Sequence, residues 1–269
     1  MENVHDELIE ILSVMDEKEY PQSAGVISSW LDCEDFDDAK LLDLCCALHT
    51  TDEVNVMHPK IAALVREIYE YLIEERDCAP AMCNLGALYY SGRIGTQDFT
   101  KAVEYYTMAA DRGDRQAQEN LGYCYYYGRS VPVDYEKAYH YFVKGALDGH
   151  IRSLYKMGDM YRNGYYVKKD LNEAFAIYDR CYQTMTDEAA GSCGADVAMR
   201  MGDCFFYGIG VEQNYRTAFV FYQQAEIMYY DRINNGDYLV RGSLKHVLSN
   251  EDKCRGKLVI NLPNFEWTE

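Results

Sequence analysis

LGYCYYYGRSVPVDYEKAYHYF, residues 121–142, carries seven tyrosines in twenty-two positions. Whether they form a surface or a core depends on what recurs elsewhere. LGALYYSG (85–92), LGYCYYYG (121–128), MGDMYRNG (157–164) and MGDCFFYG (201–208) align without gaps. Gly86, Gly122, Gly158 and Gly202 lie 36, 36 and 44 residues apart, and Gly92, Gly128, Gly164 and Gly208 keep the same steps. A second block follows in register, DFTKAVEYY, DYEKAYHYF, DLNEAFAIY and NYRTAFVFY, with Ala102, Ala138, Ala174 and Ala218 aligned. Independent positions sharing one period are the mark of a repeat array. The extra residues of the last step fall in TMTDEAAGSCGAD (184–196), which reads as a small, polar inserted loop.

Each unit reads as two helices and a turn. Ala81, Leu85, Gly86 and Tyr89 recur on one face of a 3.6-residue period, and that helix ends at a glycine able to take the left-handed conformation. The second helix begins at Asp98, Asp134, Asp170 or Asn214, all good N-caps, and Asp170 to Glu173 has capping-box spacing. Small residues sit where backbones approach closely. The expectation is an all-α, right-handed α-solenoid of helix-turn-helix repeats, each burying its faces against its neighbours.

Composition narrows the function classes. The 269 residues are 48% apolar, enough for a sizeable core, and the net charge is −18. Residues 1–80 hold twenty acids against five bases, a net −15, which leaves −3 for the other 189 residues. A chain so charged repels phosphate backbones, so nucleic acid is not the expected partner. No stretch reaches the roughly 20 apolar residues of a membrane span, and the N-terminus is acidic where a signal peptide is basic, so a cytoplasmic location is expected. The ten cysteines show no C-x-x-C and no regular pairing, which favours reduced thiols over a disulfide framework or a zinc site.

The pattern [LM]G-x-x-[YF]-x-x-G followed by [DN]-x-x-x-A-x-x-[YFI]-[YF] closely resembles the Sel-one-like repeat, a relative of the tetratricopeptide repeat with a unit of about 36 residues. The resemblance covers residues 78 to about 228 in four copies, 78–113, 114–149, 150–193 and 194–228. It implies an adaptor or scaffold of bacterial style that receives a protein or peptide in the groove of a repeat superhelix, without a cofactor, a metal or catalysis. A disulfide-rich branch of the family is linked to β-lactam binding, but its paired-cysteine pattern is missing here, which leaves a hydrolase or β-lactam binder as a minor alternative. The third unit departs from the pattern, with Asn163-Gly164-Tyr165 in its turn and Ile177 at an aromatic position.

Residues 1–77 read as an acidic helical region, a degenerate repeat with a cap: ELIEILSVM and SAGVISSWL form one pair, LLDLCCALHT and PKIAALVREIYEYLIEER another. Residues 229–269 read as a capping helix, in GDYLVRGSLKHVLS, and an extended tail, NLPNFEWTE. The charge split leaves open a second role, an acidic inhibitor or decoy of a basic protein through residues 1–80.

No nucleotide, metalloprotease, kinase or nucleophile-elbow motif occurs, and Cys45 with His49 one turn away is the one thiol–imidazole spacing of note. For binding, the side of the first helix opposite its packed face carries Cys83, Ala87 and Tyr90 with Asn84 at its edge. Carried through the repeats, and with the neighbouring Tyr127, this gives the candidate groove contacts Asn84, Tyr90, Asn120, Tyr123, Tyr126, Tyr127, Lys156, Asp159, Arg162, Arg200, Asp203 and Phe206. Asn84, Asn120, Lys156 and Arg200 form a ladder with two readings. Either it receives peptide amides or a carboxylate, in a salt-sensitive way, or it supports neighbouring turns, with solvated charge at Lys156 and Arg200.

Overall fold

Glycine at the end of one helix and an acid at the start of the next punctuate the whole array. The computed structural model describes residues 4–33, 36–51, 56–187, 190–235, 237 and 240–260. Among them are thirteen α-helices: α1 (Val4–Val14), α2 (Pro21–Trp30), α3 (Asp38–His49), α4 (Pro59–Arg76), α5 (Ala79–Ser91), α6 (Phe99–Asp111), α7 (Arg115–Tyr127), α8 (Tyr135–Leu147), α9 (Ile151–Asn163), α10 (Leu171–Thr184), α11 (Ala195–Tyr207), α12 (Tyr215–Asn234) and α13 (Arg241–Ile260). The all-α class and the helical repeats are as expected. No helix of the described residues is long and apolar enough to cross a membrane. The tail NLPNFEWTE lies outside the described residues.

The chain forms two compact units, residues 1–138 and 139–269. In the first, α3 packs on α4 and α5, α5 on α6, and α6 on α7. In the second, α9 packs on α10, α10 on α11, α11 on α12, and α13 on both α11 and α12.

Every repeat turns the same way. Gly92, Gly128, Gly164 and Gly208 close the first helices with φ between 67° and 77°, the left-handed region only glycine enters without strain. The Asp98, Asp170 and Asn214 side chains each accept two backbone N–H bonds of the following helix, and Asp134 accepts one from Lys137. Their own N–H groups donate backward to the carbonyls of Tyr89, Tyr125, Tyr161 and Phe205, at 2.8–3.0 Å. One residue thus satisfies orphan groups at both helix ends. At Asp170 this replaces the reciprocal arm of a capping box, because the N–H that Glu173 would take already serves Tyr161.

Glycine in the middle of the first helix does different work. A Cβ on Gly86 would meet the Tyr106 ring at 2.9 Å, on Gly158 the Tyr178 ring at 2.6 Å, and on Gly202 the Tyr222 ring at 2.7 Å. The ring of the second helix, twenty residues on, is seated on the bare backbone of the first. Beside this seat, Tyr89 stacks on Tyr105 at 5.8 Å and Phe205 on Phe221 at 5.7 Å, both nearly parallel. Ile177, the departure in the third unit, is buried in the same core as Tyr178 and Cys181.

The insertion is more ordered than a polar loop. Ala190–Gly194 form a single π-helical turn, with Cys193 and Gly194 buried and the Met228 sulfur 3.2 Å from a Cβ on Gly194. The C-terminal helix α13 is longer than the expected cap and continues the register of the array. Its buried Glu251 faces Glu226 of α12. Burial first, and the Glu226 carboxylate second, push Glu251 up to about 7, against the opposing pull of Arg255.

Two outcomes are expected from this packing. Gly158→Ala and Gly202→Ala drive a methyl into a ring, an overpacking cost of about 1–3 kcal/mol that exceeds the gain in helix propensity of roughly 1 kcal/mol or less. Both variants lower the urea midpoint, whereas Gly25→Ala, with nothing within 4 Å, does not. Because the folded pKa of Glu251 is raised, its contribution is fully present below the ordinary Glu value of 4.5 and lost as pH rises through about 7. Glu251→Gln therefore gains unfolding free energy relative to the parent as pH rises from about 5 to about 8, by on the order of 2 kcal/mol; an unchanging difference across that range rejects the assignment.

Candidate functional site

The ladder residues are built into the first helices, and the structure places them differently in the two units. In the second unit the Asp159 carboxylate, on α9, is the hub. Arg200 of α11 donates to both of its oxygens at 2.7 Å, Lys156 to Oδ2 at 3.2 Å, and the Tyr178 hydroxyl to Oδ1 at 2.8 Å. The Arg200 guanidinium also lies 4.3 Å over the Tyr155 ring, a contact worth about 2 kcal/mol when desolvated. Burial alone would raise the Asp159 carboxyl, but Arg200, by charge and hydrogen bond, followed by Lys156 and Tyr178, holds it far below the usual range. Lys156 and Asp159 are buried and Arg200 nearly so, which is not the solvated charge that composition favours.

One repeat later the arrangement recurs on Asp203. The Tyr222 hydroxyl donates to Oδ1 at 2.8 Å, His246 Nε2 lies 2.8 Å from the same oxygen, and Arg162 reaches Oδ2 at 3.2 Å. Asn250 donates to the Tyr222 hydroxyl at 3.1 Å. Burial raises the Asp203 carboxyl, and the bonds from His246 and Tyr222 with the Arg162 charge more than reverse it. His246 of α13 thus stands to Asp203 as Arg200 stands to Asp159, so α13 takes the place of a further first helix in the array. Arg162 and His246 keep an edge in solvent; Phe206, another groove candidate, is buried against Tyr215 at 5.5 Å and Tyr222 at 6.3 Å.

In the first unit the rungs are built from amide and thiol. Asn84 donates to the Cys46 sulfur at 3.3 Å, and Asn120 to the Cys83 sulfur at 3.9 Å while accepting from Gln116. Asn84, Asn120 and Arg200 therefore all reach back from one first helix to the first helix before it. Four tyrosines share the same face. Tyr90 packs edge-on against Phe99 at 5.1 Å and Tyr126 against Tyr135 at 5.7 Å, so each has one side committed to its own hairpin. Tyr123 and Tyr127 stack at 6.3 Å, and Tyr127 is 48% exposed.

Sequence reasoning missed Tyr178, Tyr222, His246 and Asn250. A signal existed for two of them: an aspartate at one repeat position is followed nineteen residues later by a tyrosine in both the third and fourth units. The thiol–imidazole pair has the opposite of activated chemistry. Burial, then Cys46, pushes the Cys45 thiol up, and burial, then the Arg93 charge, brings His49 down to about 4. A cleft of about 160 Å³ lined by Met57, Pro59, Ala62, Arg66 and Ile94 is well below the roughly 300 Å³ of small-molecule sites.

The family model described as Sel1 repeat matches residues 79–114, 115–150, 151–180 and 195–226. The fold is similar to the crystal structure of a Sel1 repeat protein from Oxalobacter formigenes, at TM-score 0.60 and 19% identity, over 94% of this chain and 99% of that one. It is also similar to c5321, a protective antigen of uropathogenic Escherichia coli strains displaying an SLR fold, at TM-score 0.56 and 20% identity, over 94% of this chain and 56% of that one. No curated protein matches the chain at a significant level. These likenesses carry the fold.

Removing Asp159 strands two buried cations, so Asp159→Ala is expected to cost about 3–5 kcal/mol in urea unfolding. Asp203→Ala costs less, because Arg162 and His246 can turn to water. Equal losses, or a loss under about 1 kcal/mol at Asp159, reject the hub.

Proposed function

The chain belongs to the Sel1 repeat family, and from that premise we propose that it is a non-catalytic scaffold or adaptor that binds a protein or peptide on the ladder face of its first helices. Family members of this kind are generally protein-interaction scaffolds. The observation that supports the reading is the contrast between units: Tyr90, Tyr123, Tyr126 and Tyr127 keep accessible ring surface, whereas Lys156, Asp159, Arg200, Asp203 and Phe206 are spent on internal packing. Rigid, amphipathic tyrosine rings supply contact area at low entropic cost, which is why they dominate interface hot spots.

In this reading the tyrosines are the contacts, with Asn84 and Asn120 fixing the helices that carry them. A cytoplasmic location belongs to the same proposal. All ten cysteines are free, and burial pushes Cys124, Cys181 and Cys204 up to about 12, so these thiols suit a reducing compartment.

Photocrosslinking checks it in the native cell. A benzoylphenylalanine at Tyr127 is expected to trap a discrete protein that the same probe at exposed Gln223 does not, and Tyr123→Ala is expected to weaken that capture at least tenfold without moving Tm. The same bands from both positions, or none from Tyr127, contradict the proposal.

A further inference from the structure

The two terminal helices carry outward faces of opposite character. On α1 the inward side is Val4, Leu8 and Ile11, and the outward side presents Asp6 and Glu10, flanked by Ile9 at 47% and Val14 at 55% exposure. No basic residue interrupts α1 apart from His5, and Glu17 extends the acidic line just beyond it. Lys60 does pair with Glu10 at 2.6 Å, but both partners are exposed, and such a pair is worth about 0–1 kcal/mol and exchanges readily.

On α13 the inward side is Val247, Asn250 and Cys254, and the outward side carries small residues and cations. Gly242, Ser249 and Gly256 are exposed and seven residues apart, which sets them along one line of the helix, and nothing lies within 4 Å of a Cβ added to either glycine. Lys245 and Lys253 flank that line. The helix holds five Lys or Arg against two acids, one of which, Glu251, is buried. In a chain of net charge −18 this basic face stands apart.

We propose that the outward face of α13 docks on the outward face of α1 in a second copy of this chain, giving head-to-tail association. The line of small residues lets a second helix approach closely, Ile9 and Val14 supply apolar surface to fill it, and Lys245 and Lys253 meet Asp6 and Glu10. A second copy is the occupant because one chain carries both halves of the complementary pair. The contact is heterologous, so each copy contributes a different face to it. It is independent of the tyrosine surface proposed for ligand binding.

Sedimentation of the full chain tests it. The mass of the parent is expected to rise above one protomer as concentration goes from micromolar towards millimolar, and to fall back to one at about 0.5 M salt, where the screening length is only ~4 Å. A variant with Lys245→Glu and Ser249→Glu, and another with Ile9→Asp and Val14→Asp, each stay monomeric. Mixed, they form a one-to-one dimer that grows no further, since one intact α1 meets one intact α13; this also shows that both variants are folded. A parent that remains monomeric, or a mixture that keeps the mass of its components, overturns the proposal.

Discussion

An aromatic ring seated on a helical glycine sets how closely the two helices of a hairpin approach. Gly86 with Tyr106, Gly158 with Tyr178 and Gly202 with Tyr222 leave no room for even a methyl group. Close approach there brings the start of the second helix under the end of the first, where the N-cap residue can satisfy backbone groups of both. The left-handed glycine and the capping acid are then the means of joining helices whose spacing the ring has already fixed. This is why small residues recur at 36-residue steps even where the surrounding side chains change.

The same tyrosines link packing within a hairpin to packing between hairpins. In the third and fourth repeats the seated ring ends in a hydroxyl that donates to Asp159 or Asp203, and that carboxylate receives a cation or imidazole from the next first helix. Burying such groups is costly unless each is paired, and here each rung is closed by several partners. The first unit makes the equivalent rungs from asparagine and thiol.

Much of the fold was legible because repetition multiplies weak signals. A single glycine says little, but Gly92, Gly128, Gly164 and Gly208 in register, each followed by a capping acid or amide, specify the turn. The state of the charges was not legible. Helical geometry puts Lys156 and Arg200 on one face, but whether that face meets water or a neighbour depends on Asp159 and Tyr155 of α9 and on Tyr178 of α10. The π-helical turn at Ala190–Gly194 was hidden for a related reason, since a small, polar composition fits a loop until Cys193 and Gly194 find a buried seat.

The central claim is that the ring seat and the inter-hairpin rung act as one connected system through Asp159. A double-mutant cycle in urea between Tyr178→Phe and Arg200→Met measures this directly, because the two side chains bond the same carboxylate. Coupling of about 1 kcal/mol or more, within the 0.5–3 kcal/mol range of residues sharing one network, is the predicted result. Additive losses, with coupling below about 0.3 kcal/mol as for independent sites, would contradict it.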